Sequence, residues 1–274
     1  MSTKKMKEIY FHIGFHKTGT TWLQNKCFLN TDHFNLLNDH IKPWNDELIS
    51  YLVTSHPNDF QSDTLLKIIK PRMKNDKINI VSAERLSGHP YSGGFDAETI
   101  AEKIYKTFPK AKIIIVSRDK KSFIYSSYKQ LVKRGYPGDF TNYVNSHNWF
   151  FPIHTKFYFE HKNTVNLYKD IFGTSNVLNL EFDTFKNNKS EFLKFISRFF
   201  NFDIFIDEKE QNLFINKTFS NRRIRSIRFL NKFRKTEFNK FPLIELNKKT
   251  ITILSRVFSY LYTNKKLNHD FLQD

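Results

Sequence analysis

The chain has 274 residues, 39% hydrophobic and 16% aromatic, and 44 Lys/Arg against 27 Asp/Glu leave a formal net charge of +17. That length can bury a sizeable core as one α/β domain, and the single cysteine, Cys27, excludes both an intramolecular disulfide and a cysteine-based zinc cluster. No apolar run is long enough to span a bilayer. Lys4, Lys5 and Lys7 are followed only by the short run Ile9–Ile13, interrupted by His12, so no signal peptide is expected and the expected location is the cytoplasm.

In chain order, Ile9 to Ile13 has β character. Gly14 to Gly19 form a glycine-punctuated loop, and a helix is expected over residues 20–29, with Cys27 as a buried, inert thiol. Backbone N–H groups converging in such a loop make an anion cradle for a phosphate or a phosphate-like group. Residues 31–77 predict helices and loops covering a sheet edge or a cleft, with Pro71 ending a helical pattern. Residues 78–82 read as a strand that runs into Glu84, and the turn-rich stretch 87–94 reads as a loop over the crevice at that strand's carboxyl end. Asp96 is the expected N-cap of a helix over 97–108.

Residues 111–117 are the strongest strand and end in Arg118, with a helix expected over 121–133. Residues 140–152, with Trp149, Phe150 and Phe151, predict an acceptor-side helix or lid. A long helix over 157–172 is expected to stop at Gly173 in an αL end, before a strand over 176–180 and a helix over 190–200. Strands alternating with helices predict a parallel sheet in a three-layer P-loop NTPase-like α/β fold, the whole of 1–274 forming one domain. From about 217 the chain becomes basic and helical: residues 217–266 hold fourteen Lys/Arg and two Glu, a net of +12. Over residues 222–262 these charges interleave with Ile, Leu and Phe, which suits either a covering helical pair or peripheral contact with an anionic membrane.

The loop departs from the Walker A pattern. The glycines keep its spacing, at 14 and 19, but Thr20 stands where lysine would follow the second glycine, and the lysine has moved inside, to Lys17. Gly-Phe-His-Lys-Thr-Gly-Thr-Thr-Trp resembles the 5′-phosphosulfate loop of sulfotransferases that use 3′-phosphoadenosine 5′-phosphosulfate (PAPS). Arg118, at a strand end, with Ser126 eight residues on, resembles that family's 3′-phosphate pair; a guanidinium fork and a hydroxyl suit a terminal phosphate.

The resemblance implies PAPS as donor, with no metal required, and an acceptor hydroxyl or amine on a carbohydrate or glycolipid. It places Lys17 on the bridging oxygen between phosphate and sulfonate, and His16, Thr18, Gly19, Thr20 and Thr21 around the 5′-phosphate. Trp22 falls at a position that packs on adenine, with a core role as the alternative. Glu84 falls at the position of a glutamate base, with His89 in reserve. Asn216 to Arg223 resembles a late loop closing on the nucleotide, through which Arg222 or Arg223 reaches the 3′-phosphate. His12, His147, His154 and His161 lack metal-ligand spacing and receive no role. A P-loop kinase is the rival enzyme; it requires a lysine after Gly19 and an acidic magnesium ligand. A nucleic-acid-binding protein would show a groove-reading or RNA module, and none is recognisable.

Overall fold

The computed structural model describes residues 8–15, 17–29, 32–89, 93–145, 156–206, 219–242 and 244–260. His16, Tyr91 and Trp149 to Phe151 fall outside them. The chain divides into two compact units, residues 1–119 with 155–215 and residues 120–154 with 216–274.

The first unit is built on five parallel strands: β1 (Ile9–His12), β2 (Phe34–Leu36), β3 (Ile78–Ser82), β4 (Lys112–Ser117) and β5 (Val177–Glu181), in the order β2-β3-β1-β4-β5. Phe11 aligns with Val81 on one side and Ile113 on the other, so β1 is the central strand. Residues alternate between two faces, as the pleat requires. Tyr10, Ile80, Ile114 and Val116 face a core with Trp22, Leu23, Phe28, Phe192, Ile196 and Phe200. Phe11 lies against Phe108, at the end of α4 (Ala97–Thr107). The helix α8 (His161–Phe172) packs on β4 and β5. Helices on both faces of a parallel sheet give the three-layer P-loop-like fold that the alternation of elements predicted.

The short strand β2 is new. Residues 31–77 read as helices and loops, yet Phe34–Leu36 pair with β3 as the edge strand. Three residues are too few to show a period in sequence. Helices α2 (Glu47–Thr54) and α3 (Ser62–Ile69) follow, the latter tightening to a 3₁₀ turn at Pro71. Two further expectations are corrected. The helix over 157–172 is broken at Glu160 into α7 (Lys156–Phe159) and α8. Gly173 has φ 83° but ψ 143°, so it leaves the helix extended rather than as an αL cap. The last strand is followed by α9 (Phe182–Asn187) and α10 (Lys189–Phe200). Phe192 is fully buried on α10, and Phe192→Ala is expected to cost about 3–5 kcal/mol of stability. Urea unfolding measures this, and a loss under about 1 kcal/mol would contradict the packing.

The second unit contains α5 (Lys120–Arg134), α6 (Phe140–Val144), α11 (Asn221–Leu230) and α12 (Lys248–Phe258). Asn231, fully buried, ties α5 to the end of α11 by donating to the carbonyls of Val132 (2.7 Å) and Tyr136 (3.1 Å). No helix among the described residues is long and apolar enough to cross a membrane.

Candidate active site

The carboxyl ends of β1, β3 and β4 meet at one edge, where the direction of strand connection reverses around β1. Open α/β sheets bind ligands at such a switch point. The strand β1 delivers Gly14 to Gly19, β3 delivers Glu84, and β4 delivers Arg118.

The loop has no room for side chains at its two glycines. A Cβ on Gly14 would lie 2.9 Å from both His12 Nε2 and Thr20 Oγ1, and one on Gly19 would lie 3.0 Å from the Phe185 ring. Gly19 also has φ 83°, a left-handed backbone that only glycine adopts without cost. Gly14→Ala is therefore expected to destabilise the fold by about 1–3 kcal/mol, read as a lower urea midpoint; an unchanged midpoint would mean that the pocket yields. Thr18 is buried, and its hydroxyl donates to the carbonyl of Phe15 at 2.6 Å. That hydroxyl closes the loop on itself. Thr20 begins a short α-turn, α1 (Thr20–Trp22), which widens at once into a π-helix over Leu23–Phe28. The sequence predicted a plain helix here; π stretches are rare and concentrate at functional sites. Thr21 is half-buried, and its carbonyl accepts from Asn25 Nδ2 at 2.8 Å. Trp22 is 4% exposed, edge-on to Phe185 within the core.

Lys17 stands at the top of the loop with φ 68°, one of two non-glycine residues in the left-handed region among those described. Such a backbone costs on the order of 1–3 kcal/mol and persists where surroundings impose it. One such constraint is visible: Arg118 donates from Nη1 to the Lys17 carbonyl at 2.9 Å. The guanidinium also lies over the Phe182 ring, 4.7 Å from its centroid. Lys17 is exposed as a residue, yet partial enclosure of its ammonium lowers its pKa; the Glu84 charge opposes that shift and Arg118 adds to it. Lys17 thus feels the charges of both Glu84 and Arg118. Glu84 opens the 3₁₀ turn Glu84–Ser87 and is half-buried. Beyond it, Asp96 accepts from the Arg85 guanidinium and from the backbone N–H of His89 at 2.8 Å. Asp96 holds this loop together, and its side chain does not cap α4 as its position suggested.

Ser126 lies on α5, half-buried, and Arg222 lies in the first turn of α11, whose Ser220 caps the Arg223 N–H. Both belong to the second unit, whereas the loop, Glu84 and Arg118 belong to the first.

Two histidines given no role in sequence are joined to the loop. His161 Nδ1 accepts the backbone N–H of Arg118 at 2.9 Å, and its ring stacks flat on Phe15, 3.5 Å between centroids. His12 is buried beneath the loop beside Ser82 (2.8 Å). The signal was present: a histidine ending an apolar central strand is a buried polar group that needs a partner. Burial lowers the pKa of His12 to about 4 and that of His161 to about 3. Both folded values lie below the unfolded value of about 6.5, so the folded state holds fewer protons. Their contribution is complete above pH 6.5 and is lost as pH falls toward 4 and then 3. Stability is expected to drop by several kcal/mol across that window; a urea midpoint unchanged between pH 7 and 4 would contradict it.

A glycine-bordered loop behind the central strand of a parallel sheet, flanked by charges from two neighbouring strands, defines a P-loop-like anion-binding domain. The sulfotransferase domain profile matches residues 10–249. The chain belongs to the sulfotransferase family, whose members transfer sulfonate groups. Among solved structures, a sulfotransferase from Alicyclobacillus acidocaldarius is similar in fold, with a TM-score of 0.51 at 15% identity, covering 77% of this chain and 87% of that one. Mouse sulfotransferase SULT7A1 complexed with PAP gives 0.44 at 16% identity, over 74% of this chain and 61% of that one. The sulfotransferase domain of the Synechococcus PCC 7002 olefin synthase gives 0.42 at 13% identity, over 95% and 97%. No curated protein sequence matches the chain at a significant level.

Proposed function

We propose that this enzyme transfers the sulfonate group of PAPS to a hydroxyl or amine of a carbohydrate or glycolipid, releasing adenosine 3′,5′-bisphosphate. The observation that carries the donor assignment is Lys17, held in a left-handed loop between Arg118 and Glu84. The donor supplies an activated sulfonate whose departure leaves negative charge on a phosphate oxygen. Lys17 stabilises that charge with a fixed ammonium. The loop suits a phosphate: neither glycine admits a side chain, and Thr18, Gly19, Thr20 and Thr21 have backbone amides to offer it, with His16 added by the resemblance in sequence. Arg118 holds the 3′-phosphate, a role to which the resemblance in sequence also assigns Ser126 and Arg222. Trp22 supports the loop from below through Phe185, which fills the space at Gly19.

Glu84 takes the acceptor proton, with His89 as the second candidate. Glu84→Gln is expected to lower kcat by about 10²–10⁴-fold with bisphosphate affinity little changed; activity within a few-fold of wild type would move the base elsewhere. The rival kinase reading lacks support where it needs it most, since Thr20 follows Gly19. Thermal-shift titration separates the two: adenosine 3′,5′-bisphosphate should stabilise the protein, and a response to ATP with magnesium alone would overturn the proposal.

The protein acts in the cytoplasm without nucleic acid, and its basic helices approach an anionic membrane. In support, α12 exposes Ile253 and Val257, and the turn after it Tyr260, beside Lys249 and Arg256. Co-sedimentation with phosphatidylserine vesicles tests this, and no binding at low salt would refute it.

A further inference from the structure

Arg118 leaves the sheet one residue past the last pair of β4 and β5, Ser117 opposite Glu181. Past that pair, His161 takes the Arg118 backbone N–H, with Nδ1 as the acceptor at 2.9 Å. A backbone N–H can only donate, so Nδ1 carries no proton, and the neutral ring holds its proton on Nε2. The break at Glu160 places His161 at the start of α8, where it is 3% exposed.

The edge of this ring accepts, and its face packs. It lies flat on Phe15, with 3.5 Å between centroids and 1° between planes. Phe15 is fully buried at the start of the phosphate loop, and its carbonyl accepts the Thr18 hydroxyl at 2.6 Å. From Arg118 a second path returns to the loop, since Nη1 donates to the Lys17 carbonyl at 2.9 Å. His161 therefore touches the start of the loop directly and its top through Arg118. All four residues belong to the first unit.

We infer that His161 is a positioning residue for Arg118: it holds the Arg118 backbone at the end of β4 while its ring rests on Phe15, and so fixes where the guanidinium stands relative to the phosphate loop. A fork of fixed donors recognises a phosphate only when its origin is fixed. His161 acts through Arg118 rather than on the nucleotide, and it sets affinity for the 3′-phosphate. The inference rests on the donor reading above.

The test is calorimetric titration of the full chain with adenosine 3′,5′-bisphosphate and with adenosine 5′-monophosphate, which lacks the 3′-phosphate. His161→Phe keeps a ring over Phe15 and removes the acceptor, whereas His161→Asn keeps an acceptor near the Nδ1 position and removes the ring. His161→Phe is expected to weaken the bisphosphate about tenfold, the value of one hydrogen bond, while the 5′-monophosphate stays within twofold. His161→Asn should recover most of that loss. In an Arg118→Ala background, His161→Phe should change bisphosphate affinity less than twofold, because its effect passes through the guanidinium. Should His161→Phe fail to fold, histidine ¹⁵N spectra of the wild type decide, with the His161 signal assigned by its loss in His161→Asn. Nδ1 is expected unprotonated, and its resonance should shift with the bisphosphate and not with the 5′-monophosphate. Wild-type bisphosphate affinity in a folded His161→Phe, equal loss of both ligands, an undiminished loss in the Arg118→Ala background, a protonated Nδ1 or equal shifts with both ligands would each overturn the inference. A wild-type protein that does not bind the bisphosphate overturns the donor reading itself.

Discussion

Lys17→Ala is expected to lower kcat by about 10²–10³-fold or more while the bisphosphate still binds within about tenfold of wild type. The size follows from the loss of one preorganised charge facing a developing oxyanion. The split follows from geometry, because the amides and threonines of the loop remain. A companion variant separates chemistry from strain. Lys17 sits at φ 68°, which alanine tolerates poorly and glycine well, so Lys17→Gly should be as inactive as Lys17→Ala but about 1 kcal/mol more stable. Single-turnover rates and urea midpoints on the same preparations decide the matter. Turnover within a few-fold of wild type in either variant would remove Lys17 from the reaction.

Arg118→Ala should act in the opposite sense, on binding first. Its guanidinium has a proposed 3′-phosphate to hold and an observed bond to the Lys17 carbonyl. Losing a charge-assisted fork costs about 1.5–3 kcal/mol, a rise of roughly 10–100-fold in the dissociation constant of the bisphosphate. The freed loop should add a secondary fall in kcat. Arg118→Lys keeps the charge without the planar fork, so it should recover little of the affinity. Adenosine 5′-phosphosulfate, which lacks the 3′-phosphate, supplies the control: its binding should change far less. Equal weakening of both nucleotides would place Arg118 in loop support alone.

Much of this was legible in the chain because the signals are local. The loop's glycines, its displaced lysine, the strand 112–117 ending in Arg118 and the Glu84 turn are contiguous patterns, and the strands that carry them form where expected. What stayed hidden depends on contacts distant in sequence. The His12–Ser82 pair joins residues 70 apart, and the His161 clamp on Arg118 joins residues 43 apart. Neither has a spacing to recognise. The edge strand Phe34–Leu36 is visible only through its pairing with β3. Asp96 looked like a cap by position, but the nearby Arg85 guanidinium and His89 amide compete for its carboxylate and win.

The π-helix over Leu23–Phe28 has a consequence for how the chain tolerates change in length. Its bonds span five residues, as between the Leu29 N–H and the Gln24 carbonyl at 3.0 Å. A π-turn is an α-helix holding one surplus residue, so a one-codon deletion at Asn25 or Lys26 has an ordinary helix to relax into. Because the ordinary helix turns about as far with one residue fewer, Cys27 and Phe28 keep facing the core, and the phosphate loop, encoded upstream, is unaltered in sequence. The stretch behind the loop is therefore where the chain can lose one residue without separating its binding motif from the fold that supports it.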